Sequence, residues 1–232
     1  QLGVPFEKIT LEQNDSDLVR FGNGTGGSRS ITATGQAIVE ASALVVEKGK
    51  KAAAHALEAS AGDIEFSGGR FTIAGTDRSI GIMELAQRLR DGKVPEESPT
   101  SLDVDHASKE IASTFPNGCH VAEVEIDPDT GVVQIVRYNA VNDFGTVVNP
   151  MIVAGQLHGG VAQGIGQALM EEVNYDASGQ PITGSFMDYA LPRAEDIPLI
   201  GIGDHPSPAK TNPLGTKGCG EAGCAGSLCV IV

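Results

Sequence analysis

The sequence predicts an α+β fold in which antiparallel hairpins are layered with a long helix and a glycine-rich helix. Two runs of residues alternate between apolar and polar side chains around tight turns, as the strands of hairpins do. Segments with a helical period separate these runs. Because hairpins and helices are interleaved, we expect a largely antiparallel sheet. A single domain is predicted over 1–232, and a subdivision into 1–114 and 115–232 is left open.

The first half of the chain contains a predicted long helix and a hairpin. Residues 2–19 are expected to include a strand, and a glycine loop follows over 21–30. Small and apolar residues recur on successive turns between 32 and 61, which predicts a helix there. Residues 64–73 form two short apolar runs around a Gly-Gly turn, which predicts a hairpin. A short amphipathic helix is expected over 82–90.

The second half contains the strongest hairpin pattern. Residues 120–141 alternate around the turn Asp-Pro-Asp-Thr-Gly, which predicts two antiparallel strands. A glycine-rich helix is predicted over 149–171, with Asn149 as its N-cap and Pro150 at its first position. A third hairpin is expected over 173–189.

The charge balance excludes some partners. Sixteen basic and 30 acidic side chains give a net charge of -14, which repels phosphate backbones and anionic membrane surfaces, so no nucleic-acid partner is expected. No apolar run is long enough to span a bilayer. We therefore expect no membrane span and a cytoplasmic location, with the periplasm left open. The chain starts at Gln1 and ends abruptly in the apolar run 224–232, so a piece of a larger protein is expected.

Three of the four cysteines follow a regular spacing. Cys219, Cys224 and Cys229 form a C-x4-C-x4-C run, which raises the hypothesis of an iron–sulfur or zinc site. Structural zinc sites favour tighter C-x2-C pairs, and no fourth ligand is evident. Reduced thiols are the favoured interpretation, and no metal ligand is predicted among the residues of this chain.

The first of three glycine clusters precedes the long helix. It contains G-x-G-x-x-G over 22–27, formally a dinucleotide fingerprint, but a hairpin follows the helix where a Rossmann unit needs a second parallel strand. Backbone amides and the hydroxyls of Ser28 and Ser30 at a helix N-terminus suit a phosphate or pyrophosphate, and Arg29 is able to help. Ordinary Ser/Thr capping of the helix is the alternative.

The second cluster lies inside the glycine-rich helix. Five glycines there should together oppose helix formation by about 5 kcal/mol relative to alanine, so tertiary packing must offset them. The helical period places one set on an apolar back, namely Leu157, Val161, Ile165 and Leu169. It places another set on a front of amides around a glycine groove, namely Gln156, Gly160, Gln163 and Gln167. Such amides match a heterocycle with mixed hydrogen-bonding edges, such as a pterin, and a solvent-facing glutamine stripe is the alternative.

The third cluster, 216–223, surrounds one carboxylate with glycines. Glycine lets a backbone approach a bulky ligand closely, so Gly218 and Gly220 favour a loop that presses against a ligand while Glu221 points into the site. A glycine-rich turn with an exposed glutamate is the alternative.

Three segments of the sequence together resemble a known family. They are GQLHGGVAQG at 155–164, GSFMDYALP at 184–192 and KGCGE at 217–221. In this order they strongly resemble the C-terminal part of the molybdenum-binding subunit of the xanthine dehydrogenase/aldehyde oxidase/carbon monoxide dehydrogenase family. The upstream half of that family's subunit is absent, and the proline and helix expected after 226–228 are replaced by 229–232.

This resemblance implies roles for particular residues. It implies that Glu221 is the active-site base beside molybdenum and that Gly220 belongs to the same contact. It implies that Gln163 reaches the pterin and that one loop holds the cofactor's phosphate end, formed by Gly26, Gly27, Ser28, Arg29 and Ser30. Burial of Glu221 would raise its pKa towards the operating pH of a general base.

The resemblance also implies a function and partners. The chain is expected to be part of a molybdenum hydroxylase that oxidises an aldehyde or N-heterocycle with oxygen derived from water. The implied cofactor is molybdenum-molybdopterin, and its cytosine dinucleotide form is expected because the sequence looks bacterial. The implied partners are the N-terminal molybdopterin-binding portion or subunit, a 2Fe-2S subunit, an FAD subunit and a small-molecule substrate. The alternative is a non-catalytic cofactor-binding or assembly fragment.

Overall fold

The computed structural model describes residues 1–19, 22, 24–93, 95 and 97–231. Phe21 and Asn23 of the predicted glycine loop, and Val232 at the end of the chain, lie outside these described residues. The chain forms two compact units. Unit 1 comprises Gln1–Gly24 and Thr34–Glu110, and unit 2 comprises Thr25–Ala33 and Ile111–Val232.

Unit 1 combines helices with a small antiparallel sheet. Helix α1 covers Ser30–Leu57, so its first turn belongs to unit 2 and the rest to unit 1. The sheet has the order β1 (Ile64–Ser67), β2 (Arg70–Ile73) and β3 (Ser79–Gly81). Helix α2 follows at Ile82–Arg90. The predicted long helix, hairpin and short helix are therefore confirmed, and β3 is an additional strand.

The core of unit 1 forms where α1 meets the hairpin. Phe71 of β2 is fully buried, and a Cβ added at Gly49 of α1 would overlap its ring, so the helix approaches the sheet closely at this glycine. The strand expected near the N-terminus is wrong. Residues 1–19, all of them described, contain a short 3-10 helix at Phe6–Lys8 and no strand. Leu2, Val4 and Phe6 alternate as in a strand, but most of this segment is exposed and forms no ladder with a neighbouring strand.

Unit 2 places two helices on a three-stranded sheet. Strand β4 (Asn117–Ile126) pairs antiparallel with β5 (Val133–Asp143), as predicted, and β6 (Ile200–Asp204) pairs with β5 in parallel. Helix α3 covers Pro150–Leu169, and α4 covers Ala222–Ile231. The α+β class is confirmed, although the sheet of unit 2 is mixed rather than antiparallel throughout.

Helix α3 begins and packs as the sequence predicts. The Asn149 side chain caps it by accepting from the Ile152 amide at 3.2 Å, with Pro150 at the first position. Its apolar back is buried at Leu157, Val161 and Ile165, whereas Leu169, the fourth predicted member, is exposed at the last position of the helix. The three buried side chains share one core with Ile135, Tyr138, Ala140 and Phe144.

The glycine groove of α3 is occupied by α4, which corrects the prediction that it faces a ligand. A Cβ added at Gly160 would lie 3.0 Å from Cα of Gly223, and one added at Gly164 would overlap the Ser227 hydroxyl. The two backbones approach closely because neither helix carries a large side chain at these points. Helix–helix packing therefore offsets the low helix propensity of these glycines.

Two further predictions for unit 2 need correction. Residues 173–189, all of them described, contain no strand, and only an isolated bridge joins Tyr175 to Pro181 around the turn at Asp176. The chain after Ser227 continues as α4 to Ile231, so the replacement of the expected helix by 229–232 is wrong over the described part. Within the described ranges, none of the helices combines the length and apolarity that crossing a membrane requires.

Candidate functional site

The segment 216–221, which carries the third glycine cluster, is anchored at the end of β5. Lys217 Nζ donates to Asp143 Oδ2 at 2.5 Å, and the Lys217 amide donates to the Phe144 carbonyl at 2.9 Å. Burial alone would raise the pKa of Asp143, but the hydrogen bonds from Lys217 and from the Ser207 and Gly145 amides outweigh it and hold this pKa below its usual range.

The beginning of this segment is fixed by an amide side chain. Thr216 is buried, and its backbone amide donates to Asn212 Oδ1 at 3.1 Å. Asn212 Nδ2 donates in turn to the Thr216 carbonyl at 2.9 Å. The pairing of Gly145 with Thr216 in an isolated antiparallel bridge adds a backbone constraint. These bonds therefore fix the backbone of Thr216, two residues before Gly218.

The first and third glycine clusters are in direct contact. A Cβ added at Gly218 would lie 2.5 Å from Cβ of Ser28 and would overlap its carbonyl oxygen. A Cβ added at Gly220 would lie 3.0 Å from Ser28 Oγ. Ser28 has a positive φ of 52°, a conformation uncommon for a residue with a side chain. The sequence predicts both segments but not that Ser28 would lie against both glycines.

Gln156 of helix α3, which carries the second glycine cluster, also lies next to Gly220. A Cβ added at Gly220 would lie 3.4 Å from Gln156 Oε1, so the amide is adjacent to this glycine. Gln163 is exposed, and seven residues of helix return it to nearly the same side as Gln156. Ser28, Gln156 and Gly220 therefore meet at one surface of unit 2, with Gln163 further along the helix.

Glu221 occupies the position just before α4. Its carbonyl accepts the Ala225 amide at 3.0 Å, so the residue acts as the N-terminal flank of the helix. The partial positive charge of a helix N-terminus favours a carboxylate there. The side chain is exposed within this chain, which differs from the burial that general-base chemistry led us to expect.

The loop before α1 is open and polar. Gly26 and Gly27 are exposed, and a Cβ added at either would meet no atom within 4 Å. Thr25 Oγ1 and Ser30 Oγ are 2.5 Å apart. Arg29 is half-buried, and its carbonyl accepts from the hydroxyl of Thr32. The first turn of α1 carries no acidic residue, so its N-terminal amides are not countered by a carboxylate there.

A buried polar cluster beneath α4 was missed by sequence reasoning. Tyr138 Oη lies 2.8 Å from His120 Nδ1, and His120 Nε2 lies 3.2 Å from Asn142 Oδ1. Gly226 of α4 packs on the His120 ring, where a Cβ would overlap the imidazole. Burial raises the pKa of Tyr138 to about 12, against the opposing effect of the Ser227 hydroxyl. Alternate residues of β4 and β5 face inward, and His120, Tyr138 and Asn142 lie at such positions. Polar residues at inward positions of the predicted strands are the sequence signal that could have identified this cluster.

The cysteines do not gather into a metal site in the described part of the chain. No group of three or more His, Cys, Asp or Glu side chains there could hold a metal ion. Cys219 and Cys224 are half-buried and Cys229 is exposed. Burial raises the pKa of the Cys219 thiol, as expected for a packed, protonated cysteine.

Comparison with known proteins identifies the family. The family model described as the molybdopterin cofactor-binding domain matches residues 1–198. The chain therefore belongs to this family, and the resemblance found in the sequence is confirmed. It is a molybdenum-cofactor-binding domain of the kind found in carbon monoxide dehydrogenases and xanthine dehydrogenases.

Individual relatives agree with this assignment. The gamma subunit of the 6-hydroxypseudooxynicotine dehydrogenase complex of Paenarthrobacter nicotinovorans is 38% identical over 229 residues, which cover 96% of this chain and 28% of the relative. The carbon monoxide dehydrogenase large chain of Afipia carboxidovorans is 34% identical over 229 residues, with 98% and 28% covered. The crystal structure of Cu,Mo-CO dehydrogenase in its carbon monoxide reduced state matches with a TM-score of 0.87 at 34% identity, covering 98% of this chain and 29% of that one. This chain spans about 28% of the length of these two sequence relatives.

The residues that meet in unit 2 fit such a cofactor. Their donor set consists of hydroxyls and primary amides, which both donate and accept hydrogen bonds, as the edges of a pterin do. The free space at Gly26 and Gly27 and the absence of an acidic residue from the first turn of α1 suit a phosphate group. Ser28 belongs to the loop before α1 and lies against Gly218 and Gly220. This contact brings the loop suited to a phosphate next to the amide groups suited to a pterin.

Proposed function

We propose that this chain is part of a molybdenum hydroxylase that oxidises an aldehyde or an N-heterocycle with oxygen derived from water. The observation that carries the proposal is the meeting of Ser28, Gln156 and Gly220, one residue before Glu221. Three glycine clusters that are far apart in the sequence thereby contribute to one surface. Membership of the molybdopterin cofactor-binding family supports this use of the surface.

Each cluster has a proposed task in holding the cofactor. The loop 26–30 would bind the phosphate end through backbone amides, the hydroxyls of Ser28 and Ser30, and Arg29. Gln163 would bind the pterin through its amide, and Gly220 would allow close approach because it has no side chain. When bound, the molybdenum cofactor supplies the two-electron oxidation.

Glu221 is proposed to act as the general base. Its carboxylate would accept a proton from the water-derived hydroxyl group that becomes the product oxygen. Glu221 is exposed within this chain, so we propose that parts of the complete enzyme outside it bury the carboxylate and exclude bulk water.

The remaining assignments concern the complete enzyme. We propose the cytosine dinucleotide form of the cofactor, an N-terminal molybdopterin-binding portion or subunit, and electron transfer to 2Fe-2S and FAD subunits. The relatives named above include a gamma subunit of a complex and a large chain, which supports a multisubunit assembly.

The test uses the complete enzyme or complex that contains this chain. Molybdenum per polypeptide is measured together with turnover of aldehydes and N-heterocycles. Glu221→Gln should keep the molybdenum content and lower kcat by about 10²–10⁴-fold, the usual contribution of general-base catalysis. Glu125→Gln, which changes an exposed glutamate of β4, is the matched control and should leave both unchanged. Full turnover in Glu221→Gln would disprove the assigned role.

The alternative function is a non-catalytic cofactor-binding or assembly fragment. The exposure of Glu221 within this chain favours keeping it. It predicts that the complex binds molybdenum but turns over no substrate of either class. It also predicts that Glu221→Gln changes nothing that can be measured.

A further inference from the structure

Lys217, in the segment that carries Glu221, has its ammonium group in the interior of unit 2. Its side chain is only 11% exposed, and its partner Asp143 is 14% exposed. Lysine is rarely buried to this extent unless it is paired, and here Nζ lies 2.5 Å from Asp143 Oδ2. The positive charge of Lys217 is therefore neutralised by Asp143 within the protein.

Asp143 connects three parts of the chain. Its Oδ2 accepts from Lys217, while its Oδ1 accepts from the Gly145 amide at 2.9 Å and from the Ser207 amide at 2.9 Å. Because this carboxylate is held at both oxygens, it gives Lys217 a fixed partner at the end of β5. A charged hydrogen bond of this kind is stronger and shorter than a neutral one.

The position of Lys217 determines where the next residues lie. Its amide is bonded to the Phe144 carbonyl at 2.9 Å, so the residue is held by both backbone and side chain. The following residue, Gly218, is already in contact with Ser28. A displacement of Lys217 would therefore be transmitted to the Ser28 contact and, three residues further on, to Glu221.

We propose that Lys217 is a positioning residue that fixes the segment 218–221 through Asp143, and that it does not bind the substrate or the phosphate of a cofactor. This inference rests on the proposed role of Glu221 as the base. The lysine of the KGCGE motif is thereby given a structural task. Its charge and its glycine-rich surroundings would instead suggest anion binding, as by the phosphate-binding lysine of a P-loop.

A double-mutant cycle in the complete enzyme separates the two roles. Lys217→Met leaves Asp143 charged and unpaired and should lower kcat per bound molybdenum by about 100-fold, as expected for a misplaced catalytic group, with KM within about twofold. Asp143→Asn should lower kcat by a similar factor, and the double variant should be no slower than either single variant, because both changes remove the same anchor. Lys210→Met changes an exposed lysine of unit 2 and should have no effect.

A lysine that binds a ligand gives the opposite pattern. Lys217→Met would then raise KM or lower molybdenum content, whereas Asp143→Asn would leave kcat unchanged. Either that result or an unchanged kcat in Lys217→Met would overturn the proposal. If Lys217→Met alone fails to fold, Lys217→Arg and the double variant carry the same test, because neither leaves Asp143 with an unpaired charge. Lys217→Arg should retain kcat within about tenfold.

Amide hydrogen exchange supplies a readout that does not depend on activity. Peptides that cover 216–221 should exchange at least about tenfold faster in Lys217→Met than in wild type, and about as fast in the double variant as in Lys217→Met. Exchange as slow in Lys217→Met as in wild type would contradict the positioning role. If Glu221→Gln keeps full turnover while the exchange pattern holds, the proposed function fails and the anchoring of the segment by Lys217 stands.

Discussion

Ser28, which precedes α1, packs directly on Gly218, which precedes α4. The contact involves the backbone of both residues, since a Cβ on Gly218 would overlap the Ser28 carbonyl oxygen. Ser28 itself has a positive φ of 52°. The two glycine-rich segments are therefore fitted to each other closely, and neither can shift without disturbing the other.

Replacing Gly218 should disrupt this contact. In Gly218→Ala the new methyl group must displace backbone, and we expect a loss of about 1–3 kcal/mol in the free energy of unfolding, the usual effect of overpacking. Gly184→Ala is the control, because its Cβ would meet no atom within 4 Å. Urea denaturation of the chain measures both. Equal stability of the two variants would contradict the close contact.

Two glycines of α3, one buried and one exposed, should respond in opposite directions to alanine. In Gly164→Ala the methyl group overlaps the buried Ser227 hydroxyl and lies 2.9 Å from the Cys224 carbonyl, so a loss of about 1–3 kcal/mol is expected. Gly155 has free space around it, so Gly155→Ala should gain up to about 1 kcal/mol from helix propensity. Thermal or urea unfolding distinguishes them, and a stabilised Gly164→Ala would refute the packing of α4 on α3.

The behaviour of α3 shows how far sequence reasoning reaches. The helical period identified the buried residues Leu157, Val161 and Ile165 correctly, because burial against one sheet imposes a single apolar stripe. The same period led to the incorrect assignment of Gly160 to a groove that faces a ligand. A glycine has no side chain, so the sequence does not indicate what packs against it. Only the three-dimensional packing shows that α4 does so.

Two elements that were missed, α4 and β6, have no local sequence pattern that would reveal them. Helix α4 is apolar and small on all sides, so it has no amphipathic period to detect. Strand β6 contains two glycines and pairs in parallel with the distant β5, a contact that no local pattern specifies. For the site, the motifs identified the segments, whereas the contacts of Ser28 and the pairing of Lys217 with Asp143 depend on tertiary structure.

Removing the Tyr138 hydroxyl should weaken the buried cluster beneath α4. Tyr138→Phe leaves the half-buried His120 Nδ1 without its partner at 2.8 Å, and the loss of one such hydrogen bond costs about 0.5–1.5 kcal/mol. Tyr175→Phe makes the same chemical change at an exposed position and serves as the control. Urea denaturation measures both variants. A loss of less than about 0.5 kcal/mol in Tyr138→Phe, within the usual range of surface substitutions, would contradict the prediction.

The same tyrosine should make stability depend on alkaline pH. Burial raises the pKa of Tyr138 from 10.0 to about 12 in the folded protein. Its contribution is therefore complete below pH 10, the unfolded value, and is lost as the pH rises through about 12. The difference in unfolding free energy between wild type and Tyr138→Phe should shrink over this interval. A difference that stays constant from below pH 10 up to about 12 would contradict the assignment.

In unit 1, Glu40 should make stability depend on acid pH. Its carboxylate accepts from Ser108 Oγ at 2.6 Å and Gln36 Nε2 at 2.9 Å and lies 2.7 Å from His106 Nε2. The hydrogen bond from Ser108, followed by those from His106 and Gln36, lowers the pKa of Glu40 from 4.5 to about 2. The stabilisation is therefore present above pH 4.5 and lost as the pH falls towards 2.

Glu40→Gln should accordingly be less stable than wild type at neutral pH, and the two should converge as the pH approaches about 2, because the protonated carboxyl group resembles the amide. Urea midpoints measured at intervals from neutral pH down to about 2 test this. Glu47→Gln is the matched control on the same helix, since the Glu47 side chain is exposed and its ion pair with Lys50 contributes little. A difference between wild type and Glu40→Gln that stays constant over the whole interval would show that the three hydrogen bonds do not favour the ionised form.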